Sequence, residues 1–229
     1  MNHKKYLLFC MFLFCTIVLF HRQIPFLSVL NQNNISPTQV VIDVGHGGND
    51  PGKVGINSAK EKDINLKIAQ YLFRILTVSG YTVTMTRTQD VSLSLPGASN
   101  QKISDLNQRK EIMKQASPMA IVSIHQNSFP SESQHGSQVF YPASSEESKK
   151  LASCIQEQCK RILDPENKRQ IKANTDYYLF RDNPYPTVIV ECGFLSNYRE
   201  ANLLITDEYQ EKTAWAIYMG IKQYLKTLE

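Results

Sequence analysis

The sequence lacks a cysteine framework that could staple a small fold or hold a metal ion. Only five cysteines occur in 229 residues, and the three in the body of the chain, Cys154, Cys159 and Cys192, form no CxxC pair. Cys154 and Cys159 are five positions apart on a predicted helix, about 140° around its axis, which does not suit joint ligation. We therefore predict that the three are buried free thiols.

The sequence also lacks internal repeats, low-complexity tracts and a strong charge of either sign. The formal net charge is +4, and 42% of the residues are hydrophobic while 20% are charged, a composition typical of a globular protein. No basic run with interleaved aromatic residues is present, so we predict no nucleic-acid partner. The length allows one domain with a sizeable core and a short appendage.

One uncharged apolar stretch near the N-terminus is short for a spanning helix. It covers fifteen residues, 6–20, after Lys4 and Lys5, whereas a spanning helix needs about 20. No A-x-A-like cleavage site follows the stretch, as a secretory signal would require. We predict that residues 1–24 are an uncleaved membrane anchor, with the lysines inside the cell and the rest of the chain outside. A cleaved signal segment, giving a secreted protein, is the alternative.

Residues 25–38 are predicted to link the anchor to a domain that covers 39–229. Within this domain, β-branched apolar runs alternate with segments of helical periodicity, a pattern typical of parallel α/β folds. Predicted strands cover 40–42, 81–87, 120–124, 136–141, 177–180 and 187–190. Predicted helices begin at Glu61, after Ser104, after Ser144 or Ser145, and at Thr206 or Asp207. We expect a single open, mostly parallel twisted sheet with helices on both faces.

Three of the predicted strands lead into a potential catalytic group. The first runs into the turn 45–48, where three glycines surround His46 and allow close approach of a ligand. The other two end at His125 and Glu191, and Glu61 follows the first strand's loop at the start of a helix. Each residue alone is more often structural. Together they indicate one site, because the carboxyl ends of parallel strands meet at one edge of a sheet.

The chemical types of these residues predict metal-assisted hydrolysis. Two imidazoles and a carboxylate, from His46, His125 and Glu61, make three protein ligands, the number that a catalytic zinc ion typically has. Such an ion activates water and polarises a carbonyl oxygen. Glu191 would then carry the proton from water to the leaving amine, so the predicted reaction is amide hydrolysis without a nucleophilic side chain.

Four sequence blocks make the chain resemble the zinc-dependent N-acetylmuramoyl-L-alanine amidases of the large peptidoglycan-amidase family. The blocks are VIDVGHGGNDPG (41–52), KEKDINL (60–66), VSIHQNS (122–128) and VIVECGFLSN (188–197), with support from TRTQD (86–90) and GSQVFY (136–141). The resemblance implies that His46, Glu61 and His125 bind Zn²⁺ and that Glu191 is the catalytic carboxylate.

The layout, one N-terminal anchor and a bare catalytic domain, resembles the germination-specific spore-cortex members of this family. Those enzymes strip peptides from muramic acid before muramic-δ-lactam forms. The resemblance implies that the substrate is peptidoglycan, and specifically that of the cortex. A zinc peptidase that cuts the stem peptide and a non-catalytic cell-wall-binding module are the alternatives.

Some family members carry a regulatory helix after the second histidine. Here only ten residues, QNSFPSESQH (126–135), separate His125 from Gly136, and so short a segment rarely makes a stable docked helix. We therefore expect control from outside the domain, by timed expression, by poor zinc retention of the isolated domain, or by an accessory activating protein that completes the site. Residues 128–134 are the predicted docking edge for such a partner.

Overall fold

The computed structural model describes residues 39–229, so the predicted anchor (1–24) and linker (25–38) lie outside the described residues. The described part contains six strands and five α-helices. The strands are β1 (Gln39–Val44), β2 (Thr82–Met85), β3 (Ala120–Asn127), β4 (Gln138–Pro142), β5 (Lys172–Asn174) and β6 (Thr187–Phe194). The helices are α1 (Glu61–Val78), α2 (Gln101–Ala116), α3 (Glu146–Ile162), α4 (Tyr198–Leu204) and α5 (Asp207–Leu225).

The strands form one sheet in the order β2-β1-β3-β6-β4-β5. β1 pairs in parallel with β2 and β3, and β3 pairs in parallel with β6. β4 runs antiparallel to β6 and parallel to β5. The predicted open, mostly parallel sheet is therefore confirmed, and the carboxyl ends of β1, β3 and β6 lie side by side at one edge.

Helices cover both faces of this sheet, as predicted. α1, α3 and α5 pack on one face over the larger core, which includes Val40, Ile42 and Val122. α2 covers the other face, where Val41 and Met113 belong to a smaller core. Successive residues of β1 thus enter opposite cores, because strand side chains alternate between faces. Burial on both faces explains why the central strands are almost continuously apolar.

The predicted strand at 177–180 is wrong. Residues Tyr178–Phe180 form a short 3₁₀ helix, and the outer strand is β5 instead. The side-chain oxygen of Asn174 accepts hydrogen bonds from the backbone N–H groups of Asp176 and Tyr177, at 2.7 and 2.9 Å. This capping interaction turns the chain directly after β5, so the aromatic residues reach the smaller core from a turn.

The short helix α4 was not predicted from the sequence. The predicted helix starts agree with the structure except at α2, where the predicted cap is wrong. The side chain of Asn100, not that of Ser104, accepts from the backbone N–H of Ile103 and caps the helix. Ser104 lies inside α2, and its hydroxyl accepts from the N–H of Leu95 at 2.9 Å. Ser104 can stand within the helix because its hydroxyl bonds the backbone of the loop before α2.

The cysteines and the helix lengths can be compared with the sequence-based predictions. Cys154, Cys159 and Cys192 are free, as predicted, although Cys154 is only half-buried while the other two are buried. No helix between residues 39 and 229 combines the length and the apolar character needed to cross a membrane.

Candidate metal-binding and catalytic site

The turn after β1 presents the His46 ring at the carboxyl edge of the sheet. His46 has a φ of 61°, and the following Gly47 and Gly48 also have positive φ, which costs glycine little. Reciprocal backbone hydrogen bonds between Gly47 and Asp50 close the turn at 3.0 and 3.1 Å. The Arg109 guanidinium, on α2, donates to the His46 carbonyl oxygen at 2.7 Å. A second element of the fold therefore holds His46 in its unfavourable conformation.

Three side chains from different elements converge beside this turn. His46 Nε2 lies 3.2 Å from Glu61 Oε1, and His125 Nδ1 lies 2.9 Å from the same oxygen. One donor atom from each residue falls within 4.8 Å of the others. His46 Nδ1 is 2.8 Å from Asp50 Oδ2, so its other nitrogen is left to face the cluster. This arrangement of two ring nitrogens and a carboxylate oxygen could hold a metal ion.

Glu61, the first residue of α1, is held as a carboxylate by hydrogen bonds to both of its oxygens. The backbone N–H of Lys53 donates to Oε2 at 2.8 Å, and that of Gln126 donates to Oε1 at 3.0 Å. Burial opposes ionisation, but hydrogen bonds from His125 and His46 outweigh it and hold the pKa of Glu61 well below its usual range. The cluster therefore keeps a negative charge at its centre.

The His125 ring can join the cluster because the backbone of Gly45 lies directly against it. A Cβ atom added to Gly45 would lie 2.5 Å from the His125 ring and 2.7 Å from the Ile124 carbonyl oxygen. Real Cβ atoms do not approach so closely, so a larger residue at position 45 would push the imidazole away from Glu61. The glycine before His46 thus positions the other histidine.

Glu191 lies next to the cluster in a different environment. In β6 it pairs with His125 of β3, and it lines the cavities that His46 and His125 also line. Its Oε2 atom is buried without a hydrogen-bond partner among the described residues. Burial, reinforced by the charge of Glu61, raises the pKa of Glu191 to about 7. The pKa of Glu61 is thus lowered and the pKa of the neighbouring Glu191 is raised. Such a separation of two carboxyl pKa values is typical of acid–base sites.

Two cavities open at this edge of the sheet. The larger, of about 630 Å³, extends from His46 and Glu191 to the first half of α2 and the segment 176–179. The smaller, of about 360 Å³, faces Glu61 and the end of β3. Volumes of this order are typical of small-ligand sites, so the cluster has room for a substrate on either side.

A buried ion pair supports the turn that carries His46. Asp43 and Arg109, each 2% exposed, approach to 3.1 Å, and Asp43 also accepts from the hydroxyls of Thr86 and Ser123. Burial opposes ionisation of Asp43, but Arg109 and these hydroxyls together lower its pKa. Breaking such a pair typically costs about 3–5 kcal/mol, so Asp43 and Arg109 act as positioning residues for the site.

The structure brings together all four residues singled out in the sequence. His46, Glu61 and His125 form the cluster, and Glu191 shares the cavities beside it. Asp50, which contacts the His46 ring, was not predicted as a site residue, although its position four residues after His46 was a local signal for the contact.

Two other supporting residues were missed. Asn65 lies one helical turn after Glu61, and its side chain donates to the Gly45 carbonyl oxygen at 3.2 Å. The Gln126 side chain in turn donates to the Asn65 oxygen at 3.1 Å. Only the four-residue spacing of Glu61 and Asn65 was visible in the sequence.

The fold and the site define a class of protein. A cluster of two imidazoles and a carboxylate at the edge of a parallel sheet, beside a protonatable glutamate and an open cavity, is typical of hydrolases that use a metal ion. The sequence matches the family model described as N-acetylmuramoyl-L-alanine amidase over residues 40–223, most of the chain. The chain belongs to this family, and it is accordingly an amidase that acts on peptidoglycan.

Individual relatives agree with this membership. The germination-specific N-acetylmuramoyl-L-alanine amidase of Bacillus subtilis (strain 168) is 37% identical over 188 residues, covering 81% of this chain and 78% of the relative. The CwlD amidase from Clostridioides difficile, solved in complex with the GerS lipoprotein, is 42% identical with a TM-score of 0.80, covering 83% of this chain and 99% of that chain. The catalytic domain of CwlV from Bacillus (Paenibacillus) polymyxa var. colistinus is 30% identical with a TM-score of 0.70, covering 82% and 98%. The predicted family is confirmed.

Proposed function

We propose that the protein hydrolyses the amide bond between N-acetylmuramic acid and L-alanine with a zinc ion held by His46, Glu61 and His125. The convergence of their donor atoms within 4.8 Å carries this proposal. Two nitrogens and an oxygen are donors that zinc takes in catalytic sites, and Asp50 on His46 is the kind of outer partner that orients a ligand ring. When bound, zinc supplies polarisation of the amide carbonyl and activation of water.

Glu191 is the residue that moves the proton in this proposal. As a carboxylate it takes a proton from the attacking water, and as a carboxylic acid it gives that proton to the amide nitrogen as the bond to carbon breaks. A pKa of about 7 suits both directions, because a general acid–base group works best near the operating pH. Glu191 lines both cavities beside the cluster, where the water and the amide would lie.

Product analysis tests the proposed bond specificity. Purified full-length protein incubated with spore-cortex peptidoglycan should release stem peptides that carry a newly free L-alanine N-terminus, detected by amine labelling and mass spectrometry. A zinc peptidase would expose other N-termini, and a wall-binding module would expose none. Either of those two results would overturn the proposed reaction.

Spore cortex is the substrate that we propose within peptidoglycan. The relative from Bacillus subtilis is named as germination-specific, and the proposed reaction removes the peptides that must leave before a muramic-δ-lactam can form. The same digestion run in parallel on cortex and vegetative wall decides the preference. Faster cleavage of vegetative wall would contradict the cortex assignment.

We also propose that residues 1–24 anchor the protein and keep the rest of the chain outside the cytoplasm. The support is the apolar stretch at 6–20, which follows Lys4 and Lys5. Protein extracted from membranes should therefore have the mass of the full-length chain. A mature form that begins near Asn31 would show cleavage instead.

An accessory protein is proposed to restrain or activate the enzyme. Between β3 and β4 the described chain contains no helix that could cover the site, and Phe129 in this connection is 54% exposed. A structural relative was solved in complex with a lipoprotein. Zinc content and activity of the purified protein, measured with and without native extract, test the idea. Full zinc occupancy and unchanged activity without extract would remove its support.

A further inference from the structure

The two cavities meet at a junction defined by six residues that line both. These are His46, Asp50, Lys102, His125, Tyr177 and Glu191. His46, His125 and Glu191 belong to the proposed machinery, and Asp50 holds the His46 ring. The other two junction residues, Lys102 and Tyr177, neither bind the proposed zinc ion nor transfer the proton. Lys102 is exposed, whereas Tyr177 is half-buried.

The Tyr177 ring is fixed by aromatic contacts. It packs edge-to-face against Phe140, with ring centroids 5.6 Å apart and an interplanar angle of 86°, and against Phe180, at 5.6 Å and 90°. Its backbone N–H donates to the Asn174 side chain at 2.9 Å. Such aromatic pairs hold a ring in a defined orientation, so the direction of the hydroxyl is set before substrate arrives.

The Tyr177 hydroxyl has no hydrogen-bond partner among residues 39–229. Within the described residues, two fully buried side-chain atoms lack a hydrogen-bond partner, Gln126 Oε1 and Glu191 Oε2. The Tyr177 hydroxyl is not one of these buried atoms. Tyr177 lines both cavities, so its hydroxyl is placed where a bound ligand could accept a hydrogen bond from it. Tyrosine hydroxyls in apolar surroundings usually find a partner, and the ring contacts of Tyr177 would serve a phenylalanine equally well.

The hydroxyl is a hydrogen-bond donor at any pH at which the enzyme would work. Burial, with the negative charges of Glu191 and Glu61, raises the pKa of Tyr177 to about 12. The other ionisable side chain at the junction without a role, Lys102, is an exposed residue on the first turn of α2. Apart from the exposed Lys102, the other junction residues carry imidazoles or carboxylates, so Tyr177 is the rigid neutral donor in this region.

We propose that Tyr177 is a catalytic residue whose hydroxyl donates a hydrogen bond to the carbonyl oxygen of the scissile amide. This inference rests on the proposed amidase reaction. The carbonyl oxygen gains negative charge as water adds to the carbon, so a fixed donor stabilises the transition state more than the bound substrate. No proton is transferred, because the hydroxyl only donates a hydrogen bond.

The test compares Tyr177→Phe with Tyr185→Phe in the full-length protein. Tyr185 belongs to the same aromatic core, but its hydroxyl lies 3.4 Å from the Lys114 carbonyl oxygen and lines neither cavity. kcat and KM are measured on a soluble muropeptide, together with zinc content and melting temperature. We expect Tyr177→Phe to lower kcat about 10²-fold with little change in KM, zinc content or melting temperature. Tyr185→Phe should match the wild type.

Three results would overturn the inference. A kcat of Tyr177→Phe within twofold of an active wild type would show that the hydroxyl does not act in the transition state. A rise in KM with unchanged kcat would show that Tyr177 binds the substrate and the transition state equally and does not favour the transition state. Parallel losses of activity and melting temperature in both variants would make the role structural. Failure of the proposed function itself is distinguished by the wild type, which would then leave the muropeptide uncleaved.

Discussion

Replacing Glu191 by glutamine is expected to lower turnover by about 10²–10⁴-fold, the range typical of a lost general acid–base group, while fold and metal content stay as in the wild type. Glutamine has nearly the same shape but cannot accept the proton from water. Glu191 Oε2 is buried without a hydrogen-bond partner among the described residues, so the substitution breaks no hydrogen bond at that oxygen. The measurement is kcat on a soluble muropeptide, with zinc content and melting temperature for each preparation.

Cys192→Ala is the matched control, one position further along β6. Successive strand residues face opposite sides of the sheet, and Cys192 lies in the larger core while Glu191 lines the cavities. We expect this variant to lose some stability, because a buried side chain becomes smaller, but to keep near-wild-type kcat. Activity of Glu191→Gln within tenfold of the wild type, or inactivation of Cys192→Ala without loss of stability, would contradict the proposed role of Glu191.

The strand ends made the site predictable from the sequence. Each of β1, β3 and β6 is a β-branched apolar run that leads into a single conspicuous polar residue or turn. Only an arrangement in which these strands lie side by side brings His46, His125 and Glu191 together, and the observed parallel pairing of β1, β3 and β6 does so. Glu61 could be added because a helix start follows directly from the loop after β1.

What the sequence could not predict depends on contacts between distant residues. Asp43 and Arg109 are 66 positions apart, and nothing local marks either as half of a buried ion pair. The aromatic and apolar run at 177–180 resembles a strand, but the Asn174 side chain turns the chain there. Tyr177 consequently reaches the site from a turn, and its ring is oriented by Phe140 and Phe180, a placement that local periodicity does not encode.

Replacing His125 by alanine is expected to reduce zinc affinity by more than the 10–100-fold typical of losing a residue that only orients a ligand, because the proposal makes His125 a direct ligand. Glu61 would also lose the nearer of its two imidazole neighbours, at 2.9 Å. Ligand binding to the native state alone raises stability, by about 2.7 kcal/mol at a hundred times Kd. Added zinc should therefore raise the melting temperature of the wild type and leave that of His125→Ala nearly unchanged.

His135→Ala provides the matched control for this prediction. His135 is 55% exposed, lies 3.8 Å from Asp164, and lines neither cavity. Its removal deletes an imidazole but no proposed ligand, so zinc titration by calorimetry and the zinc-dependent rise in melting temperature should match the wild type. Equal loss of affinity in both variants would point to an unspecific effect of histidine removal. Full zinc retention with normal affinity in His125→Ala would show that the ion binds elsewhere, because a three-ligand site cannot lose one ligand without weakening.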